Sequence, residues 1–171
     1  MPFALTLRLH DTAAAAVRRM WEALAARGIS TDSLDLGYPA HLTLAIHPDT
    51  ADAAALAAAP DGWTLARPIA FAGFGLFPGA PSVLFLAPVP DAALLDAHAG
   101  LHRRLPPGGH AHYAPGAWVP HATLAADLPD ATPALAALAG MTLPPAAPPA
   151  SVDLVRFRPV EVLRRWPLAP G

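Results

Sequence analysis

The chain contains no cysteine, which removes disulfides, thiol nucleophiles and sulfur-built zinc sites together. Lysine, asparagine and glutamine are absent as well, and all eleven basic residues are arginine. Any phosphate group must therefore be held by Arg, His, Ser, Thr, Tyr or backbone N–H groups. Charge is scarce: 14% of residues carry it and the formal net charge is −2. That excludes a broad basic nucleic-acid platform and leaves room for a local basic pocket. No apolar run approaches about eighteen residues, so no membrane span is expected. The N-terminal "MPFALTLRLHD" has no basic stretch ahead of an apolar run and does not read as a signal peptide. A cytoplasmic protein is the default expectation. What is plentiful is apolar residue, 54% of 171, enough for one domain with a substantial core. The excess of Ala and Pro beside arginine-only basicity fits a coding bias better than a functional signal.

Residues 3–10 alternate, with Phe3, Leu5, Leu7 and Leu9 on one face and Thr6, Arg8 and His10 on the other, which predicts a half-buried strand. Asp11 or Thr12 is placed to cap a helix in which Ala14, Val17, Met20, Trp21 and Leu24 follow helical spacing, stopped at Gly28. A strand follows at 41–47, an alanine-rich helix near 50–59, and one or two strands over 63–77, broken near Arg67-Pro68. The order then restarts. A strand is expected at 82–88, and a helix over 91–105 with Leu94, Leu95, His98, Leu101 and Leu105 on one side. Then come a strand at 121–126, a short helix at 131–139, and strands at 151–158 and 160–167. Corresponding elements are offset by about 80 residues, an internal duplication with repeats near 3–77 and 82–167 inside a single domain, 1–171. "PPAAPP" at 144–149 reads as a stiff loop. "PPGGHAHYAPGA", 106–117, reads as a mobile loop beside a site.

The two repeats share one phrase. "HLTLA" begins at His41 and "HATLA" at His121. On a strand, His41 and Thr43 point the same way, with Cα atoms roughly 6.5–7 Å apart, while Leu42 and Leu44 point into the core. His121 and Thr123 repeat this with Ala122 and Leu124 behind them. If a pseudo-twofold brings the strands together, two imidazoles and two hydroxyls face one cleft. One imidazole neutral and one protonated form an acid–base pair suited to in-line displacement at phosphorus. The threonine hydroxyls would donate to the non-bridging oxygens. With 8 His and 9 Thr, chance supplies about 0.4 His-x-Thr triplets. Two of them, both continued by Leu-Ala at matching places in a duplicated order, favour a functional pair over two structural strand histidines.

These residues resemble the paired His-hydrophobic-Thr/Ser-hydrophobic motifs of the 2H phosphoesterase superfamily, in particular its 2′-5′ RNA ligase-like, RNA 2′,3′-cyclic phosphodiesterase branch. "WVPHATLA", "GFGLFPGAPSVLFLAPVP" and "VEVLRRWPL" are similar to that family too, so the resemblance covers nearly the whole chain. Ala122 is smaller than the usual hydrophobic residue at its position. The resemblance implies an α+β bilobal fold of two antiparallel sheets backed by helices, with both chain ends in one lobe, the middle in the other and the site in the groove between. It implies hydrolysis of a 2′,3′-cyclic phosphate to a 2′-phosphate, with His41 protonating the leaving 3′-oxygen and His121 activating water. Spacing alone leaves those two roles interchangeable. The expected partner is a nucleotide or RNA terminus bearing a cyclic phosphate, with no cofactor and with the protein a monomer. Reversible 2′-5′ RNA ligation and nucleotide binding without turnover are the alternatives.

Other residues carry weaker signals. Tyr38, Tyr113 and Trp118 flank the motifs and could stack on a base or pack the lobes. Arg8 and His10 could reach the groove, and Arg156 or Arg158 could steer a phosphate. His47, taken as lying on the face of His41 and Thr43, would suggest a metal site with His121. No acid sits at ligand spacing on that strand, so no metal is expected. His98 and His102 are read as structural or surface residues, and His110 and His112 as solvated.

Overall fold

A computed structural model describes residues 1–65 and 67–168. Among the described residues, seven strands form two antiparallel sheets. The first has the order β2-β1-β6-β7, from β1 (Phe3–Arg8), β2 (His41–His47), β6 (Ser151–Arg156) and β7 (Glu161–Pro167). The second has the order β3-β4-β5, from β3 (Phe71–Phe77), β4 (Ser82–Pro88) and β5 (Ala122–Leu128). The first sheet thus joins both ends of the described chain and the second takes the middle. Five helices complete the α+β architecture: α1 (Asp11–Ala25), α2 (Asp32–Asp35), α3 (Ala53–Ala58), α4 (Ala92–His102) and α5 (Thr132–Leu138). The main apolar core runs through both sheets, taking Leu5, Leu7, Leu42 and Leu44 from the first and Leu84, Leu86 and Leu124 from the second. Val17, Met20 and Leu24 of α1 fill the same core.

Several local expectations change once pairing is known. β1 is central in its sheet and buried on both faces, not half-buried, because β2 and β6 flank it and its polar face carries a second, smaller apolar cluster. The N-cap of α1 is His10, whose Nδ1 accepts the Thr12 N–H at 3.3 Å, and not Asp11 or Thr12. Over 63–77 there is one strand; Ile69 makes only an isolated bridge to Ala147. Leu95 faces solvent while Leu94, His98 and Leu101 are buried.

β2 and β5 share one departure from regular pairing. Leu5 pairs with Ala45 and Thr6 with Thr43, so Leu44 has no partner of its own on β1. Likewise Leu84 pairs with Ala125 and Phe85 with Thr123, which leaves Leu124 over. Each motif therefore contains a β-bulge at its leucine, which lets two consecutive residues face the core. Leu44 with Ala45, and Leu124 with Ala125, are those buried pairs. The repeated Leu-Ala after His-x-Thr thus has a structural cause. The bulge also reverses strand parity beyond it. His47 is buried on the face opposite His41, so the two do not share a surface and the proposed grouping of His47 with His41 and His121 fails geometrically.

Candidate active site

β2 and β5 are edge strands of different sheets and lie in contact with each other. Ahead of the bulge each presents its histidine and threonine outward. His41, Thr43 and Thr123 line one cavity holding about 870 Å³ of open space. His121, two residues before Thr123, stands close enough for its charge to act on His41. The two imidazoles are held in the same way. His41 Nδ1 donates to the Pro39 carbonyl at 2.8 Å and His121 Nδ1 to the Val119 carbonyl at 2.8 Å, each two residues upstream. That bond selects the Nδ1–H tautomer and leaves Nε2 as the free nitrogen on both rings. Burial lowers the pKa of each below the ordinary histidine value, partly offset by those carbonyls.

The surroundings of the two rings differ. Tyr38 packs edge-on against His41, with ring centroids 5.0 Å apart. Its hydroxyl donates to Asp153 at 2.8 Å and lies 2.8 Å from the Thr6 hydroxyl. Asp153 is fully buried. Burial acts to raise its pKa, but hydrogen bonds from Arg165, Ser151 and Tyr38 outweigh this and hold it below the usual carboxylate range. Arg165 pairs with Asp153 across β6 and β7 and grips both carboxylate oxygens, at 2.9 and 2.7 Å. The Asp153 charge favours the protonated form of His41. His121 instead meets the edges and faces of Phe77 and Phe85, at 4.9 and 5.5 Å. The Phe85 ring covers its pairing partner Gly75, where a Cβ would collide with it, so only glycine leaves room for the ring.

The other flanking residues fall in different places. Tyr38 lines the cavity, but with its hydroxyl committed and its side chain buried it is floor rather than a free stacking surface. Burial pushes its hydroxyl well above the ordinary tyrosine range. Trp118 is buried, stacked on His98 at 3.9 Å, and donates its indole N–H to the Thr43 carbonyl at 3.0 Å. Tyr113 packs against the core and is not among the cavity-lining residues. The 106–117 loop that carries it is tied to β2 by the His110 N–H to the Ile46 carbonyl, and Gly109 lies against the His47 ring. It therefore flanks the buried face of β2, not the cavity. Arg8 pairs in register with His41 on the adjacent strand and lies 3.5 Å from Asp11, with a buried Nε that has no partner. His10 caps α1 and is directed away from this role. His110 and His112 are exposed, and His98 is buried with His102 beside it, both Nε2 atoms 3.0 Å from the Leu44 carbonyl.

Of the two late arginines offered for steering a phosphate, Arg158 lines the cavity and Arg156 does not; sequence reasoning did not single out Asp153, Phe77, Phe85 or the rest of the cavity's far end. There Ile46, Leu36, Val155, Phe157 and Val160 form an apolar floor beside Asp32, Ser33 and Arg158. A lone aspartate inside the apolar run "SVDLV" was the available signal for Asp153. Among the described residues no helix is long and apolar enough to cross a membrane.

The family model of the 2′-5′ RNA ligase superfamily matches residues 9–161, and the chain belongs to that family. Similar solved structures agree on the fold. The crystal structure of TT0787 of Thermus thermophilus is 22% identical, with 98% of each chain covered and a TM-score of 0.61. E. coli LigT complexed with phosphate is 18% identical over 98% of this chain and 96% of LigT, with a TM-score of 0.59. Usb1 of Kluyveromyces marxianus is 12% identical over 98% of both chains, with a TM-score of 0.56. No curated protein matches at the level of sequence.

Proposed function

We propose that this protein is a metal-independent cyclic phosphodiesterase that opens 2′,3′-cyclic phosphates of RNA ends or small nucleotides to 2′-phosphates. The observation that carries this reading is the mirrored tethering of His41 and His121. Both imidazoles have Nδ1 engaged and Nε2 free; His41 lines a cavity with both motif threonines, and His121 outside that lining is near enough for its charge to act on His41. Such a pair can perform both proton transfers of an in-line displacement. Neutral His121 Nε2 takes a proton from water as its oxygen attacks phosphorus. The P–O3′ bond breaks, and protonated His41 Nε2–H delivers its proton to O3′. The product is a 2′-phosphate monoester with a free 3′-hydroxyl.

The asymmetry of the surroundings supports these assignments. Asp153 favours a proton on His41, while the aromatic rings beside His121 give the cation no counter-charge. Thr43 and Thr123 would donate to the non-bridging oxygens, and Arg158, which lines the cavity, would add charge, with Arg8 beside His41 in register. E. coli LigT has been crystallised with phosphate and with 3′-AMP, ligands of the chemical class this cavity would take.

Ligation is the second reading, favoured by the name of the matching family. There the 5′-hydroxyl of an RNA replaces water as the nucleophile and the same two proton transfers form a 2′-5′ bond. A panel of nucleoside 2′,3′-cyclic phosphates and short RNAs with 5′-hydroxyl ends, assayed in EDTA, separates the two. Release of 2′-phosphate is expected; a 2′-5′ linked product would favour ligation. Binding of the cyclic phosphates with neither product would leave a nucleotide-binding module.

A further inference from the structure

Two tryptophans make the same bond in opposite directions across the boundary between the sheets. Trp21, on α1 directly after β1 of the first sheet, donates its indole N–H to the Thr123 carbonyl on β5 at 3.1 Å. Trp118, on the chain leading into β5 of the second sheet, donates to the Thr43 carbonyl on β2 at 3.0 Å. Both acceptors belong to the motif threonines, and both lie just before a bulged leucine. β2 and β5 are edge strands, so carbonyls on their outer edges have no ladder partner and need a donor from elsewhere. The neighbouring leucine carbonyls follow the same plan: Leu44 accepts from His98 and His102, and Leu124 from Ser33 at 3.4 Å. The donors come from unlike positions in the two repeats, one from a helix and one from a strand lead-in. The convergence on the same atom is therefore not a by-product of duplication.

We infer that Trp21 and Trp118 are positioning residues that clamp each motif to the opposite sheet and so fix the separation of His41 and His121. A bond to the threonine carbonyl fixes the peptide plane between threonine and bulged leucine, and with it the direction of the hydroxyl. Trp118 also lies three residues ahead of His121, so its bond links the lead-in of one motif to the threonine of the other. Trp21 lines the cavity and Trp118 does not, but in this scheme neither indole touches the reacting atoms. Both act through geometry, where displacements of about 1 Å can cost about a hundredfold in rate.

This inference rests on the acid–base reading above, and its test keeps the two apart. Trp21→Phe and Trp118→Phe retain a ring and delete the N–H. Trp166→Phe is the control, since Trp166 on β7 is half-buried and donates its indole N–H to Asp61 at 2.8 Å, at the edge of the first sheet opposite β2. The clamp predicts that each motif-side variant loses roughly ten- to a hundredfold in kcat with KM changed less than about threefold, while Trp166→Phe keeps both within about twofold. The double variant should lose far less than the product of the single losses, because both bonds hold one separation. The same variants are titrated with inorganic phosphate while the Cε1–H resonances of His41 and His121 are followed. In the wild type one phosphate should shift both, and in the two variants affinity should fall about tenfold. Should a Phe variant fail to fold, 3-benzothienylalanine at that position keeps the ring shape without the N–H. Wild-type protein that binds phosphate at both histidines but turns over no cyclic phosphate would sink the catalytic reading and leave the clamp testable by phosphate. Folded variants with wild-type kcat, or with wild-type phosphate affinity where no turnover exists, would overturn the clamp.

Discussion

His41 and His121 are oriented by backbone carbonyls two residues upstream, Pro39 and Val119, a contact that costs the chain no extra side chain. Replacing either by Ala should lower kcat by roughly 10²–10⁴-fold, the usual yield of a positioned proton-transfer group. Thr43→Ala or Thr123→Ala should cost about ten- to a hundredfold, since on the proposed mechanism each removes one donor to a phosphate oxygen. Steady-state kinetics on a nucleoside cyclic phosphate checks all four. Arg165 makes a different prediction. Its removal leaves the Asp153 carboxylate buried with only Tyr38 and Ser151 to satisfy it. Arg165→Ala should destabilise the fold by about 3 kcal/mol in urea denaturation, the low end for an orphaned buried charge. The histidines and threonines were legible from sequence because their pattern repeats. Asp153 was not, because its importance comes from a partner twelve residues away that only the β6–β7 register supplies. Phe77 and Phe85 likewise gain meaning only when β3, β4 and β5 are aligned.

At the scale of elements, alternation predicted most strands well because their core faces carry leucine, valine and alanine at period two. It failed where a bulge intervened. Counting by twos from His41 places His47 on the groove face; one unpaired leucine places it in the core. The histidines behind β2 then become stability determinants. Burial and the neighbouring His102 lower the His98 pKa to about 4. Unfolded histidine titrates near 6.5, so between about pH 6.5 and 4 the unfolded chain binds a proton that the folded chain refuses. Stability should therefore fall as pH drops through that window, with His98 contributing up to about 3 kcal/mol of the loss. His98→Phe, which can keep the stack on Trp118, should flatten the decline of Tm between pH 7 and pH 4.5. An unchanged decline would mean that His98 is not the group responsible.

For the whole molecule, a strand and long helix lead to a motif strand twice, as β1-α1-α2-β2 and as β4-α4-β5, each ending in a bulged His-x-Thr-Leu-Ala strand. We propose that the chain works as one bilobal unit descended from repeats near 3–77 and 82–167, with β3 crossing that division to pair with β4. Composition and element order could suggest the duplication. They could not show that the repeats meet along their motif strands, since that contact is made between edges with no ladder bonds to announce it. Joining the motifs across one cavity makes the histidines a coupled pair, so pH dependence belongs to the pair and not to either ring. Both pKa values are lowered, chiefly by burial. The singly protonated pair therefore exists on the acid side of the ordinary histidine range. The profile of kcat/KM should be bell-shaped with its optimum below about pH 6.5, falling at higher pH as the acid loses its proton. Activity should persist in EDTA, since in the proposed mechanism the pair itself supplies both proton transfers.

The most direct measurement is the conversion of a nucleoside 2′,3′-cyclic phosphate, followed by phosphorus NMR in EDTA, for wild type, His41→Ala, His121→Ala and the double variant. The wild type should yield the 2′-phosphate, and each single variant should be slower by roughly 10²–10⁴-fold. The double variant should be little slower than the worse single one, because the two imidazoles act as a unit. Single variants that turn over at near wild-type rates would contradict the account, whatever their affinity for nucleotide.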